Sequence, residues 1–312
     1  MRVGIVILPE YRWWMARSKW EAAEQYGFDH AWTYDHLGWR SLVDGPWFGA
    51  VPTLTAAAAV TERITLGTFV ASPNFRHPVS FVREVTALDD IADGRFVLGL
   101  GAGGTGHDAT VTGAAPLSAR QRFARFAEFT GLLDEILRND DTTFTGDYYE
   151  AVGARSAPGS VRRPRVPFAI AANGPRGLDL VARQGQGWIT NGRTGATEGL
   201  TGAEEEEAWW GGVAQLCTRL TDSLGAANRP ATSLDRYLSL DSAPGYSLSS
   251  VARFTEMLGR AQDLGFTDVV VHWPRADGVY MGQESVVEQI AADVLPKLES
   301  TPKRDRWRSS AP

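Results

Sequence analysis

One cysteine, Cys217, stands in 312 residues. A disulfide framework and a cysteine-rich metal site are both excluded, and a reducing compartment is the default for such a chain. No window approaches the ~20 consecutive apolar residues of a membrane span. The opening MRVGIVILPEYRWW holds too short an apolar run for a secretory leader and is not followed by a small-residue cleavage site. The expected location is therefore the cytoplasm. Long basic clusters are missing too: the formal net charge is −6, which leaves no electrostatic footprint for nucleic acid. No internal repeat is visible.

What is present is the composition of a globular enzyme, 43% hydrophobic and 22% charged, in a chain long enough for one domain to bury roughly three quarters of its unfolded surface. Apolar runs at 3–8, 30–34, 64–71, 96–101, 168–172, 187–190, 237–240 and 268–272 read as strands of the buried parallel type. Helical patterns follow them at 12–26, 47–60, 78–91, 118–138, 175–185, 206–224, 249–263 and 284–299. The clearest is 118–138, where Phe123, Phe126, Phe129, Leu133, Ile136 and Leu137 recur at three- and four-residue spacing behind Ser118 as N-cap. Residues 140–166 break the rhythm and read as an irregular insertion with a hairpin, and the polar tail 300–312 is expected to fray.

An alternating series of this kind suits an open doubly wound sheet or a closed barrel. Eight units in about 300 residues favour the (β/α)8 TIM barrel, an α/β fold forming a single domain over 1–299. The loops 35–46, 105–117 and 191–205 follow strands two, four and six. In a barrel they are insertions at the C-terminal mouth, where such enzymes build their sites.

Three strand ends carry candidate chemistry. In RFVLGLGAGG (95–104), Gly99, Gly101 and Gly104 satisfy G-x-G-x-x-G. A dinucleotide fingerprint needs a helix opening at the third glycine, and here loop continues to Ser118. The remaining readings are a platform for a flat ligand and a glycine-rich turn with no ligand. In AANGPRG (171–177), Asn173, Gly174 and Pro175 lead straight into a helix, and its free amides plus Arg176 make an anion site; a plain helix start has the same pattern. In WTYDHLGW (32–39), His36 is a candidate proton donor or a packed structural histidine. Trp39 and Trp47 flank the same loop and are candidate pocket walls.

Together with LGTFVASPNFRHPVSFVREVTALDDIADGRFVLGLGAGG and FTGDYYEAVGARSAPGSVRRPRVPFAIAANGPRGLDLVARQGQGWIT, these stretches resemble the bacterial luciferase-like flavin monooxygenase superfamily, closely over 1–195 and loosely beyond. The resemblance implies the same barrel, with FMN or the deazaflavin coenzyme F420 across its mouth. It implies a ring resting on Ala71, Ser72 and Pro73 over a cis Ala71–Ser72 bond, with Gly101, Ala102, Gly103 and Gly104 beside it. The phosphate would sit on Asn173, Gly174, Pro175 and Arg176. The stretch T-Y-D-H-x-x-W is similar to deazaflavin-dependent members and favours F420.

Sugar-phosphate dehydrogenases of that branch carry a glutamate after the strand-four Gly-x-Gly, and here that place is Gly104. A reductase of an activated C=C or C=N bond is the better match. On this reading His36 exchanges the proton, and Asp35 orients it or contacts the ring. His107 and His272 are second choices for the proton and, with Trp39 and Trp47, candidate substrate contacts. No metal is expected. A homodimer, a small-molecule substrate and a separate reductase or dehydrogenase supplying reduced cofactor complete the expectation. Two rivals stand: an FMN-dependent, oxygen-consuming monooxygenase and a non-catalytic cofactor-binding barrel.

Overall fold

Short buried strands alternate with amphipathic helices along the whole computed structural model, which describes residues 1–192, 195 and 197–299. The elements are β1 (Arg2–Val6), α1 (Trp13–Gln25), β2 (His30–Thr33), α2 (Ala50–Ala58), β3 (Thr65–Thr68), α3 (Pro78–Ile91), β4 (Phe96–Leu100), α4 (Ala119–Arg138), β5 (Asp141–Thr145), β6 (Glu150–Arg155), β7 (Phe168–Ala171), α5 (Pro175–Gln184), β8 (Gly187–Thr190), α6 (Gly202–Ala226), β9 (Asp235–Ser239), α7 (Val251–Asp263), β10 (Asp268–His272), α8 (Glu284–Asp293) and α9 (Leu295–Glu299). Eight strands close into a barrel in the order β1-β10-β9-β8-β7-β4-β3-β2, and β5 and β6 form a separate two-stranded sheet. The expected (β/α)8 barrel and the hairpin in 140–166 are therefore both present. No helix among the described residues is long and apolar enough to cross a membrane.

The chain divides into two compact units that interleave along the sequence. One holds Met1–Ile7, Ala22–Ala31 and the described residues from Ala169 onward; the other holds Leu8–Glu21 and Trp32–Phe168.

In the first unit, β1 lies parallel to β10 in the register Arg2↔Asp268 to Val6↔His272. Arg2 donates to Asp268 from Nε at 2.8 Å and from Nη2 at 2.7 Å, and reaches Asp235 at 2.8 Å. His30 Nε2 lies 3.0 Å from the same Asp268. Burial works against the Asp268 carboxylate, but His30 and Arg2 outweigh it and hold its pKa below the usual range. Gly4 is required here, since a Cβ would stand 1.7 Å from His30 Nδ1. Helix α6 begins four residues earlier than the pattern suggests. Within it Glu206 pairs with Arg253 at 2.5 Å and Glu207 with Arg260 at 2.7 Å.

In the second unit, α4 begins with a capping box between Ser118 and Gln121 and buries Phe126, Phe129, Leu133, Ile136 and Leu137. Its Glu128 accepts the backbone N–H groups of Asp147, Tyr148 and Tyr149 at 2.9, 2.9 and 2.7 Å, which fixes the hairpin to the helix. Strand β3 ends at Thr68, earlier than expected, and Ala71 keeps a single bridge to Leu100. The cis peptide follows that earlier exit: it joins Phe69 and Val70, not Ala71 and Ser72. The tail 300–312 lies outside the described residues.

Candidate active site

The end of β2 delivers Asp35 and His36, and consecutive residues there face different partners. Asp35 is buried and bound through both oxygens by Arg76, from Nε at 2.6 Å and from Nη2 at 2.7 Å; Arg76 Nη1 also reaches Glu84 at 2.6 Å. The carboxylate expected to orient His36 is thus committed elsewhere. The carboxylate that meets His36 is Asp108, which hydrogen-bonds its Nδ1. Asp108 also accepts the backbone N–H groups of Leu37 at 2.8 Å and Gly38 at 3.3 Å. Burial alone would raise the Asp108 pKa, but the His36 ring and these two amides outweigh it and hold the carboxyl below its usual value.

The tryptophans frame the same corner. Trp47 Nε1 donates to the His36 carbonyl at 2.8 Å, and Trp39 packs edge-on against Tyr34 with ring centroids 5.1 Å apart. His107 is exposed, in the short turn His107–Ala109, and its ring lies against Gly38: a Cβ there would meet His107 Cδ2 at 2.9 Å.

The three glycines of the G-x-G-x-x-G motif do three different jobs. Gly99 lies inside β4, where a Cβ would stand 1.9 Å from the Thr68 carbonyl oxygen, so it serves strand packing. Gly101 donates its N–H to Ala71 at 2.8 Å. Gly104 is exposed, and a Cβ there would find its nearest atom 3.9 Å away. Between them Gly103 takes a left-handed φ of 74° with Asn74 packed against it. Asn74 in turn accepts from Arg125 at 2.5 Å. Ala71, Ser72 and Pro73 are buried, and the Ser72 hydroxyl has no hydrogen-bond partner among the described residues. A buried hydroxyl without a partner is costly and marks a place where a bound group could complete the bonding.

In the first unit, Gly174 is the N-cap of α5 and Pro175 its first residue. Gly174, Pro175 and Arg176 are exposed, and a Cβ on Gly174 would meet nothing within 4 Å. Asn173 is occupied structurally: its Nδ2 donates to Asn191 and Gly192 at 2.8 and 2.7 Å, and its Oδ1 accepts from Thr190 at 2.6 Å. His272 is buried, hydrogen-bonded to Asp241 at 2.9 Å, and stacked on Tyr280 at 3.8 Å. Tyr280 thus covers one face of the ring and Asp241 holds its Nδ1 edge.

A family model described as luciferase-like monooxygenase matches residues 7–208. The chain belongs to that luciferase-like family. Two curated relatives are similar across nearly the whole chain. The F420-dependent glucose-6-phosphate dehydrogenase of Amycolatopsis mediterranei is 30% identical, with 89% of this chain and 92% of the relative covered. The protein of the same name from Beutenbergia cavernae is 31% identical, with 89% and 91% covered. Among solved structures, the coenzyme F420-dependent tetrahydromethanopterin reductase of Methanopyrus kandleri superposes with a TM-score of 0.70 at 17% identity, covering 95% of this chain and 99% of that one. At that identity the likeness shows the luciferase-like fold.

Sequence reasoning missed two partners. Arg76 sits in the quoted motif P-N-F-R-H-P, and its charge beside a proline-initiated helix was the only signal of its role. Asp108 follows His107 in the loop after β4, and nothing in its spacing ties it to His36, 72 residues away.

Proposed function

We propose that the protein is an oxidoreductase that transfers a hydride between coenzyme F420 and a small organic substrate. The observation that carries this reading is the similarity, over 89% of the chain, to curated F420-dependent dehydrogenases. The site supports it. The open backbone at Gly104, beside Gly101, Ala102 and Gly103, and the unsatisfied Ser72 hydroxyl suit a flat polar ring. The exposed start of α5, with Arg176, suits a phosphate.

When bound, the deazaflavin supplies the two-electron hydride chemistry. The residues do the rest. Ser72 and the glycine backbone would hold the ring, and Trp39 and Trp47 would limit the space beside it. Orientation of this kind can contribute roughly 7–11 kcal/mol in well-aligned systems. His36 gives or takes the accompanying proton at Nε2, since its Nδ1 is engaged by Asp108; such a group typically contributes about 10²–10⁴-fold.

For the substrate, an activated C=C or C=N bond fits the open backbone at Gly104, where a glutamate would stand in the sugar-phosphate branch. A second reading, oxidation of a sugar phosphate, is favoured by the similarity to the two glucose-6-phosphate dehydrogenases. The proposal includes a homodimer and a separate enzyme that regenerates reduced cofactor. It is tested by following F420 oxidation state at its absorbance maximum with both substrate classes, under argon and under air. Turnover that ignores oxygen supports the reading, because deazaflavin lacks the ring nitrogen through which flavin reacts with oxygen. Turnover only with reduced FMN and concurrent oxygen uptake overturns it in favour of a monooxygenase.

A further inference from the structure

We infer that Asp108 is the positioning residue of the proton-exchanging histidine, fixing His36 in the tautomer that carries hydrogen on Nδ1 and presents a bare Nε2. The inference deepens the proposed function and rests on it only for the use to which Nε2 is put.

The geometry is specific. The Asp108 side chain is 6% exposed and that of His36 28%, so a buried carboxylate meets a half-buried ring. One Asp108 oxygen takes the His36 ring and the other takes the amides of Leu37 and Gly38. An ionised carboxylate has acceptors only, so the ring nitrogen facing it must donate. Trp47 Nε1 donates to the His36 carbonyl. The ring and the backbone of His36 are therefore both anchored, and Nε2 is the nitrogen left for chemistry.

Among the described residues, Asp108 is the carboxylate that hydrogen-bonds the His36 ring. Asp35, its neighbour in sequence, is held through both oxygens by Arg76. Tyr34 meets the ring edge-on at 5.8 Å between centroids, and His107 packs on Gly38; neither is an anionic acceptor at neutral pH. Asp108 itself stands in the loop that runs from the glycines after β4 to α4. The loop expected to shape the substrate pocket thus carries the group that sets the histidine's tautomer. A rearrangement of that loop would change proton transfer without moving His36 in sequence or strand.

The test is ¹⁵N NMR of the imidazole nitrogens in the full-length protein at pH 8, in the wild type and in Asp108→Ala, Asp108→Asn and Asp108→Glu, with His36→Gln assigning the resonance. The wild type is expected to show Nδ1–H. Asp108→Ala should move toward the Nε2–H tautomer that unconstrained imidazole prefers, Asp108→Asn should give a mixture, and Asp108→Glu should restore part of the Nδ1–H signal. In turnover, Asp108→Ala should lower kcat by about 10²-fold, the low end for general acid–base effects, with KM nearly unchanged. If Asp108→Ala does not fold, the near-isosteric Asn variant carries the same test. An Nε2–H signal in the wild type, or an unchanged Nδ1–H signal in the Ala or Asn variant, overturns the inference. The NMR result does not depend on activity, so an Nδ1–H wild type that shows no F420 turnover would leave the inference standing and sink only the proposed function.

Discussion

Asp35 and Arg76 form a two-point ion pair, Nε to Oδ2 at 2.6 Å and Nη2 to Oδ1 at 2.7 Å, with the Asp35 side chain 3% exposed and that of Arg76 11%. The pair ties the end of β2 to the start of α3, and it explains why the aspartate of the D-H dipeptide does not serve the histidine beside it. Removing the Asp35 charge leaves the buried Arg76 guanidinium with Glu84 as its carboxylate partner. Asp35→Asn should therefore cost about 3 kcal/mol in urea unfolding, the lower end for breaking a buried pair. A loss under about 0.5 kcal/mol, the range of neutral surface changes, would show that the pair is not stabilising.

Two glycines of one motif should respond oppositely to alanine. At Gly99 the new methyl would lie 1.9 Å from the Thr68 carbonyl oxygen, so Gly99→Ala should destabilise by about 1–3 kcal/mol or more. At Gly104 the space is open, so Gly104→Ala should leave the thermal midpoint within a degree or two while weakening cofactor binding. Equal midpoints for both variants would contradict the division of roles.

Acid stability carries a sign for Asp108. Its folded pKa lies below the unfolded value of about 3.9. The ionised carboxylate therefore adds stability at neutral pH, and that contribution disappears as pH falls through the folded pKa. The stability gap between wild type and Asp108→Asn should be widest near pH 7 and close below about pH 4. Asp89 has the opposite sign, because burial raises its carboxyl above the usual value. The ionised Asp89 costs stability as pH rises through its folded pKa, so Asp89→Asn should compare better with wild type at pH 7 than at pH 4. Urea midpoints across that range decide both.

Burial pushes the Cys217 thiol up to about 11, which leaves almost no thiolate at pH 8. Native protein should resist a disulfide exchange reagent and release one equivalent of thiol only after denaturation. Rapid stoichiometric reaction of the folded protein would contradict the buried placement.

Much of the barrel was legible because its physics is local. Strands β8 and β10 occupy the ranges that their apolar runs mark, and α3 and α4 begin where Pro78 and Ser118 permit. The exit from β3 was not legible, since Phe69, Val70 and Ala71 carry the apolar run on past Thr68, where the strand ends. At the site, the strand ends carrying His36, Ser72 and Gly104 could be named from glycine, proline and polar residues at the close of apolar runs. Their partners could not. Arg76 meets Asp35 across 41 residues and Asp108 meets His36 across 72, separations that only the fold closes. Asn173 carries a structural job that its place before a helix did not signal: its amide pins the chain at Asn191 and Gly192.

Fluorescence titration of the purified protein with coenzyme F420 and, separately, with FMN addresses the central claim most directly. The account predicts saturable binding of F420, weakened by Arg176→Ala and by Gly104→Ala, and little or no binding of FMN. Tight binding of FMN with none of F420 would contradict it and turn the site at Ser72, Gly104 and His36 over to oxygen-dependent flavin chemistry.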